Sequence, residues 1–452
     1  MKNLLYFLVA SLFVPAFGVD LEQALNDALD HDPVIAQADA QRRLGKQQVP
    51  QAVGQLLPSV SMSRSRSESE FTPADQVVVD PDTGESIVIP GVTRESDGKS
   101  WGFSLSQTVF NAGTFLGLRA AQLESQRADE IYRNDLQNFY FRVAEAYMNV
   151  LRAQAQVESS DAAEQAVKRQ LEQAQQRFEV GLVAVTDVLD ATASYDNAIV
   201  DQIQAHSTHD IVFEVLGTLT GVQYSELARL GADMPIVNPD RTEAEWVRLA
   251  QANNPQVEAA RLGLGVQKKL RSATLSQHLP TVGASWNRSY SEGRFDALGD
   301  NESTSVSLGF SLSLFNARQL LNSRSSYIQV ESAKQGLINQ QLTAARNVRN
   351  LYRTVVTDVV RVEARRKAVA SSSAALEATE TGYQVGTRDI VDVLIAQRAL
   401  FNAQNGYAAS RYDYVLNRLR LMQAAGSLSE KDLQEVNQYM TSEDPVVRLA
   451  GN

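Results

Sequence analysis

The spacing of apolar positions changes period several times along the chain, and each change marks an element. From Gly113 to about Glu179 apolar residues recur at three and four, among them Val143, Tyr147, Val150, Leu151, Val157, Val167, Leu171, Ala174 and Phe178. No proline interrupts the run, so it predicts one helix over 112–179, roughly 100 Å long at about 1.5 Å per residue. Gly181 ends it, because glycine readily takes the left-handed conformation that follows a helix. A further helix is expected over 185–219. Upstream, the period is two. Val60 and Met62 interleave with Ser59, Ser61 and Ser63, and Trp101, Phe103 and Leu105 interleave with Gly102, Ser104 and Ser106. Strict alternation predicts strands at 58–71 and 99–110, each with one apolar face. Before them, Leu21 to about Gln55 reads as helix, with Pro33 opening a new segment.

The same order then recurs. His31-Asp32-Pro33 returns as Asn253-Asn254-Pro255, and Leu57-Pro58-Ser59-Val60 as Leu279-Pro280-Thr281-Val282, at an offset of about 222 residues. Further on the offset becomes about 205 and stays constant. Val109-Phe110-Asn111-Ala112 matches Leu314-Phe315-Asn316-Ala317, Tyr147 matches Tyr352, Asp187 matches Asp392, and Gly221 matches Gly426. The pattern therefore divides the chain into a first copy over 19–221, with a hairpin at 58–110 and helices at 112–179 and 185–219. A second copy covers 245–426, with strands at 280–291 and 303–315 inside a hairpin at 280–315 and helices at 317–384 and 389–424. The length difference falls between the strands of the first hairpin, as expected for a surface loop. Residues 222–244 and the tail 427–452 carry Pro235, Pro239 and polar residues, and are expected to wrap the outside of the helices.

Composition narrows the function. Lys2, the apolar run Leu4–Val14 and Pro15-Ala16-Phe17-Gly18 have the form of a secretory signal peptide over 1–18. The chain has no cysteine, so neither a disulfide framework nor a thiol-linked lipid is expected. A net charge of −11 with no basic patch argues against a nucleic-acid partner. Apart from the leader, no stretch approaches the ~20 apolar residues of a membrane helix, so any membrane contact is through strands. His206 and His209 share a helix face beside Asp210, but no third ligand is evident; solvated helix histidines are the commoner reading, and no metal or cofactor is expected. There is no phosphate loop and no nucleophile motif, so the chain is not expected to be an enzyme.

These elements combine into an α+β membrane protein. Four strands cannot close a barrel, since the smallest membrane barrels need eight. An open sheet edge in lipid leaves backbone groups unpaired. Several chains must then share one barrel, and three would supply about 12 strands. The long helices follow the strands directly at Asn111-Ala112 and Asn316-Ala317, and their Ala, Gln, Ser and Arg content suits a hollow tube with a wetted inner wall. A periplasmic coiled-coil scaffold without a pore also accounts for the helices, but not for hairpins with one lipid-suited face.

The stretches Arg177-Phe178-Glu179-Val180-Gly181-Leu182-Val183-Ala184-Val185-Thr186-Asp187-Val188 and Gly382-Tyr383-Gln384-Val385-Gly386-Thr387-Arg388-Asp389-Ile390-Val391-Asp392-Val393-Leu394 resemble the TolC-type outer-membrane efflux proteins. The resemblance covers nearly the whole mature chain. It implies a homotrimer in the outer membrane, a 12-stranded barrel continuous with a helical tunnel in the periplasm, and an iris at the helix tips. It also implies a periplasmic adaptor and an inner-membrane pump of the RND, ABC or MFS type as partners, with drugs, small molecules or proteins as cargo. By the same resemblance, Tyr383 and Arg388 would link to Asp187 and Thr186 to hold the gate. Asp392 would form an acidic ring at the constriction. Ile395 stands where a second ring is expected, and Asp389 is one turn earlier. Val180, Gly181, Leu182, Val385, Gly386 and Thr387 match the tips at which adaptor hairpins dock.

Overall fold

The computed structural model describes residues 18–82, 84–292 and 300–449. The expected leader, apart from Gly18, lies outside them. In chain order the elements are α1 (Leu21–His31), α2 (Pro33–Gly54), β1 (Ser59–Phe71), β2 (Gln76–Val79), β3 (Ser86–Ile89), β4 (Arg94–Phe110), α3 (Ala112–Glu179), α4 (Val185–Thr220), β5 (Glu226–Leu230), α5 (Glu243–Asn253), α6 (Pro255–Leu275), β6 (Thr281–Ser291), β7 (Asn301–Ser311), α7 (Ala317–Gln384), α8 (Ile390–Ala425), α9 (Glu430–Asn437) and β8 (Met440–Val447). α3 and α7 each have 68 residues, and α4 and α8 each have 36.

The chain divides into two compact units. One takes Met1–Arg42, Asp129–Ala260 and Leu337–Asn452; the other takes Arg43–Ala128 and Arg261–Gly336. The second unit holds a four-stranded antiparallel sheet in the order β1-β4-β6-β7. Its register sorts the faces. Val60, Leu105, Trp286 and Val306 form one row across all four strands, and Phe103 packs edge-on to Trp286 at 5.7 Å. On the other face serine hydroxyls pair across the ladder, Ser59 with Ser106 at 2.6 Å and Ser61 with Ser104, Ser65 with Ser100 and Ser285 with Ser307 at 2.7 Å. The apolar face is bare: Met62, Val306, Leu308 and Phe310 are each more than two-thirds exposed, at 72%, 79%, 76% and 68%.

Three strand expectations need correction. The last strand ends at Ser311, not 315: Leu312 and Leu314 continue the apolar spacing but leave the ladder before α7. β4 begins at Arg94, earlier than 99, because it keeps pairing with β1 as far as Phe71. The first hairpin also carries a separate ribbon, β2/β3, where the sequence predicts only a surface loop.

The first unit packs α1, α4, α5, α8 and α9 around the long helices. Residues 222–244 and the tail are not wholly irregular, because β5 and β8 pair as a two-stranded sheet. Val19 adds a parallel bridge to Leu227. The Tyr147 hydroxyl, fully buried on α3, faces the carbonyls of Val19 and Ala228 at 2.8 Å each, and burial drives its ionisation far up.

The recurring Asp-Pro and Asn-Pro pairs are joints. Asp32 closes α1, and its Oδ1 accepts from the Val34 backbone at 2.9 Å to open α2. Asn254 does the same between α5 and α6, accepting from Gln256 and Val257. Each joint abuts a helix-ending glycine with left-handed φ. A Cβ on Gly221 would lie 2.3 Å from the His31 ring, and one on Gly426 2.5 Å from the Asn253 carbonyl. Only glycine satisfies both the conformation and the close approach.

Candidate functional site

The two turns between the long and short helices, with the first turns of α4 and α8, hold every residue that the sequence marks for gating and docking. Both are built alike. At the end of α3, Leu182 N donates to Arg177 O at 2.8 Å and Gly181 N to Phe178 O at 2.9 Å, with Gly181 at φ +77°. At the end of α7, Thr387 N donates to Gly382 O at 2.8 Å and Gly386 N to Tyr383 O at 3.2 Å, with Gly386 at φ +80°. Both are Schellman ends, in which the last carbonyls are capped by backbone amides beyond a left-handed glycine. Val180, Leu182 and Val385 stand in solvent at 69%, 73% and 69% exposure, and Thr387 is exposed beside them.

The side chains differ. Tyr383 is buried in a small cluster with Val167, Ala198, Ile390, Val393 and Leu394. The Arg177 guanidinium lies over its ring at 4.7 Å, which ties the end of α3 to the end of α7. The Tyr383 hydroxyl has no hydrogen-bond partner among the described residues. Arg388, just before the start of α8, pairs with Asp392, Nη1 to Oδ2 at 3.4 Å, four residues on and in solvent. Asp389 caps α8, its Oδ1 accepting from the Asp392 backbone at 2.9 Å. Thr186 donates to Asp187 at 3.3 Å. Within one chain, then, no hydrogen bond joins Tyr383 or Arg388 to Asp187 or Thr186. Arg388 and Asp392 come together instead.

Three residues near the tips were not singled out from sequence. Arg177 gave no signal beyond its place in the motif. Asp190 and Arg398 line an open groove of about 650 Å³ between α3, α4 and α8, floored by Ser160, Val167 and Leu394. Ile395 is 63% exposed at the edge of the same groove. The expectation of solvated histidines fails for His209. It is fully buried against Phe213, with neither ring nitrogen hydrogen-bonded among the described residues and Nδ1 3.8 Å from the Asp210 carboxylate. Burial pushes its pKa down, so the ring is held neutral. His206 instead contacts Asp161 at 2.8 Å. Among the described residues no group of three or more His, Cys, Asp or Glu could hold a metal, and no helix is long and apolar enough to cross a membrane.

Comparison with known proteins identifies the family and the fold. The profile of the outer membrane efflux protein family matches residues 24–222 and 246–427. The outer membrane protein TolC of Vibrio cholerae is 32% identical over 449 residues, covering 97% of this chain and 98% of that protein. The alkaline protease secretion protein AprF of Pseudomonas aeruginosa is 28% identical, over 96% and 90% of the two chains. Among solved structures, the outer membrane protein VceC of Vibrio cholerae superposes with a TM-score of 0.72 at 20% identity, covering 90% of this chain and 96% of its own. The outer membrane channel CmeC of Campylobacter jejuni superposes at 0.73 and 16% identity, over 93% and 90%. The chain belongs to the outer membrane efflux protein family and is an outer-membrane protein of the TolC type.

Proposed function

We propose that three copies of this chain form one export duct: a 12-stranded barrel in the outer membrane and a helical tunnel in the periplasm, serving efflux or type I secretion. One observation carries the reading. The sheet β1-β4-β6-β7 has a bare apolar face, a serine-lined opposite face, and two strand edges, β1 and β7, that it does not itself pair. In lipid those edges must find partners, and identical chains supply them. The serine face then lines water. A pore-less scaffold leaves the apolar face uncovered in water, which disfavours it. Detergent-free fractionation separates the two, since a scaffold partitions with soluble periplasmic protein.

The tips act as gate and docking site in this reading. Arg388 and Tyr383 exchange partners to reach Asp187 and Thr186 across neighbouring helix pairs. The exposed Arg388–Asp392 pair is worth only about 0.3–0.5 kcal/mol, so it is a small obstacle to that exchange. The Tyr383 hydroxyl gains the partner it lacks. When Arg388 leaves, Asp392 loses its counter-charge and can act as one of three carboxylates in an acidic ring that favours cations. Asp389 is committed to its helix cap, so a single ring is expected. Energy for transport comes from an inner-membrane pump, coupled through a periplasmic adaptor at Val180, Gly181, Leu182, Val385, Gly386 and Thr387. Cargo is a drug, another small molecule or a protein.

The test of the gate is electrical. Arg388→Ala in the purified assembly should raise single-channel conductance in planar bilayers, and an unchanged conductance rejects the gate role. Glutamate at Gly181 or Gly386 should abolish export while the assembly stays intact. A Cβ there meets nothing within 4 Å, so only local backbone strain accompanies the change. Export that survives both substitutions removes the docking assignment.

A further inference from the structure

The first hairpin carries an attachment with an unusual surface. β2 and β3 pair Val77 with Val88 and Val78 with Ile87. Side chains alternate across a strand, so Val77, Val79 and Val88 share one face and Val78, Ile87 and Ile89 the other. All six stand in solvent, from 47% exposed at Val78 to 61% at Val77. Together they expose on the order of 500 Å² of apolar surface, about half of it on each face, and singly exposed apolar residues would not group in this way. A lone two-stranded ribbon is marginal in water and gains stability only when a face is covered.

The ribbon is set off by a built neck. Pro73 and Pro90 interrupt the ladder between β1/β4 and β2/β3. Gly91 N donates to Asp75 Oδ1 at 2.8 Å, and the Thr72 and Thr93 hydroxyls meet at 2.8 Å. A Cβ on Gly91 would fall 1.7 Å from the Pro73 carbonyl oxygen, so only glycine closes this neck.

Charge, area and reach select the occupant. Residues 72–93 contain Asp75, Asp80, Asp82 and Glu85 and no lysine or arginine, which disfavours a phosphate-rich lipid surface. About 500 Å² falls short of the roughly 800 Å² per partner that a free protein needs for stable binding. Copies already held in one barrel need far less, because tethering gives effective concentrations of about millimolar. A barrel of about 12 strands, spaced about 4.8 Å and tilted about 40°, has a radius of roughly 12 Å. The ten or so residues from Thr72 to the ribbon turn reach about 30 Å, enough to meet at the axis.

We infer that the β2/β3 ribbons of three copies pack their apolar faces together over the outer mouth of the duct. The inference rests on the three-copy reading above. The carboxylates at the turn and neck stay outside the apolar contact.

The natural chain has no cysteine, so single-cysteine variants report cleanly. Val77→Cys and Val78→Cys, one on each face, are purified as the full assembly and oxidised. At least one should give a disulfide-linked dimer of chains in more than half of the assemblies, since two of three cysteines meet at an axis. Mass by light scattering, corrected for detergent, is read on the same samples. A three-chain mass with no cross-link from either face overturns the ribbon contact and leaves the duct standing. A mass other than three chains overturns the duct reading itself, and the ribbon contact with it. As a second readout, a bimane label on Val78→Cys should shift to a shorter-wavelength emission in the assembly; a water-like spectrum counts against the contact.

Discussion

The turns at Arg177–Val185 and Gly382–Ile390 share a backbone but not a grip. Each ends a 68-residue helix through a Schellman motif with a glycine near φ +80°. Matched positions then diverge. Phe178 is 44% exposed where Tyr383 is 7%. Ala184 begins α4 without any side-chain cap, whereas Asp389 caps α8. Val185 is 53% exposed where Ile390 is fully buried. The second turn is therefore anchored, and the first is held by its own backbone and by Arg177 over the Tyr383 ring. Helix ends with few buried contacts open at low free energy. If both tips take part in a moving iris, the second carries the specific contacts and the first the freedom.

The largest expected effect is at the matched aromatics. Tyr383→Ala deletes a buried ring and the surface under Arg177, and should cost about 3 kcal/mol of local stability. Phe178→Ala at the equivalent position should cost less than about 1 kcal/mol. Hydrogen exchange of the amides flanking each turn reads both. Equal losses would show that the difference in burial does not govern the tips.

How much of this was legible follows from which forces leave a sequence trace. Long helices with matched lengths were readable because a period of 3.6 sustained without proline has one interpretation. The Asp32-Pro33 and Asn254-Pro255 joints are visible as recurring letters, but their role depends on the approach to Gly221 and Gly426, more than a hundred residues away in both cases. The β2/β3 ribbon lay within a loop whose extra length was noticed; Val77-Val78-Val79 and Ile87-Val88-Ile89 are short apolar runs, which periodicity alone does not resolve. The strand end at Ser311 was missed because Leu312 and Leu314 keep alternating after the ladder has stopped. At the site, the motif located the tips but not the partners. Arg388 is expected to face Asp187, and within the chain it meets Asp392, four residues on, reaching from the turn over the capping Asp389 to the start of α8. His209 and Tyr414 occupy equivalent, fully buried places, yet the tyrosine hydroxyl is bonded to the Val237 backbone and the imidazole has no hydrogen bond among the described residues, only Asp210 at 3.8 Å from Nδ1. A polar letter on a helix does not announce which way it faces.

A smaller effect tests the caps. Asp389→Ala removes the carboxylate that accepts from Asp392 N and should destabilise the start of α8 by about 1 kcal/mol. Ala184→Asp should do the reverse for α4, adding a cap of similar size where none exists. The pair is a direct exchange between the turns. Protease accessibility or amide exchange over the first turn of each helix should converge in the double variant. If Ala184→Asp leaves α4 unchanged, the looseness of the first turn comes from its exposed apolar side chains rather than from its missing cap.

The smallest effect is expected at Arg388. Its pair with Asp392 is exposed, spaced at i and i+4, and screened by salt, so Arg388→Ala should alter the thermal stability of the assembly by no more than about 0.5 kcal/mol per chain. The same substitution is expected to raise conductance. A residue that changes current without changing stability is acting on a balance between states rather than on the fold. Should Arg388→Ala lower stability by as much as Tyr383→Ala, the arginine belongs to the anchoring of the second turn, and the division of labour between the two tips would have to be redrawn.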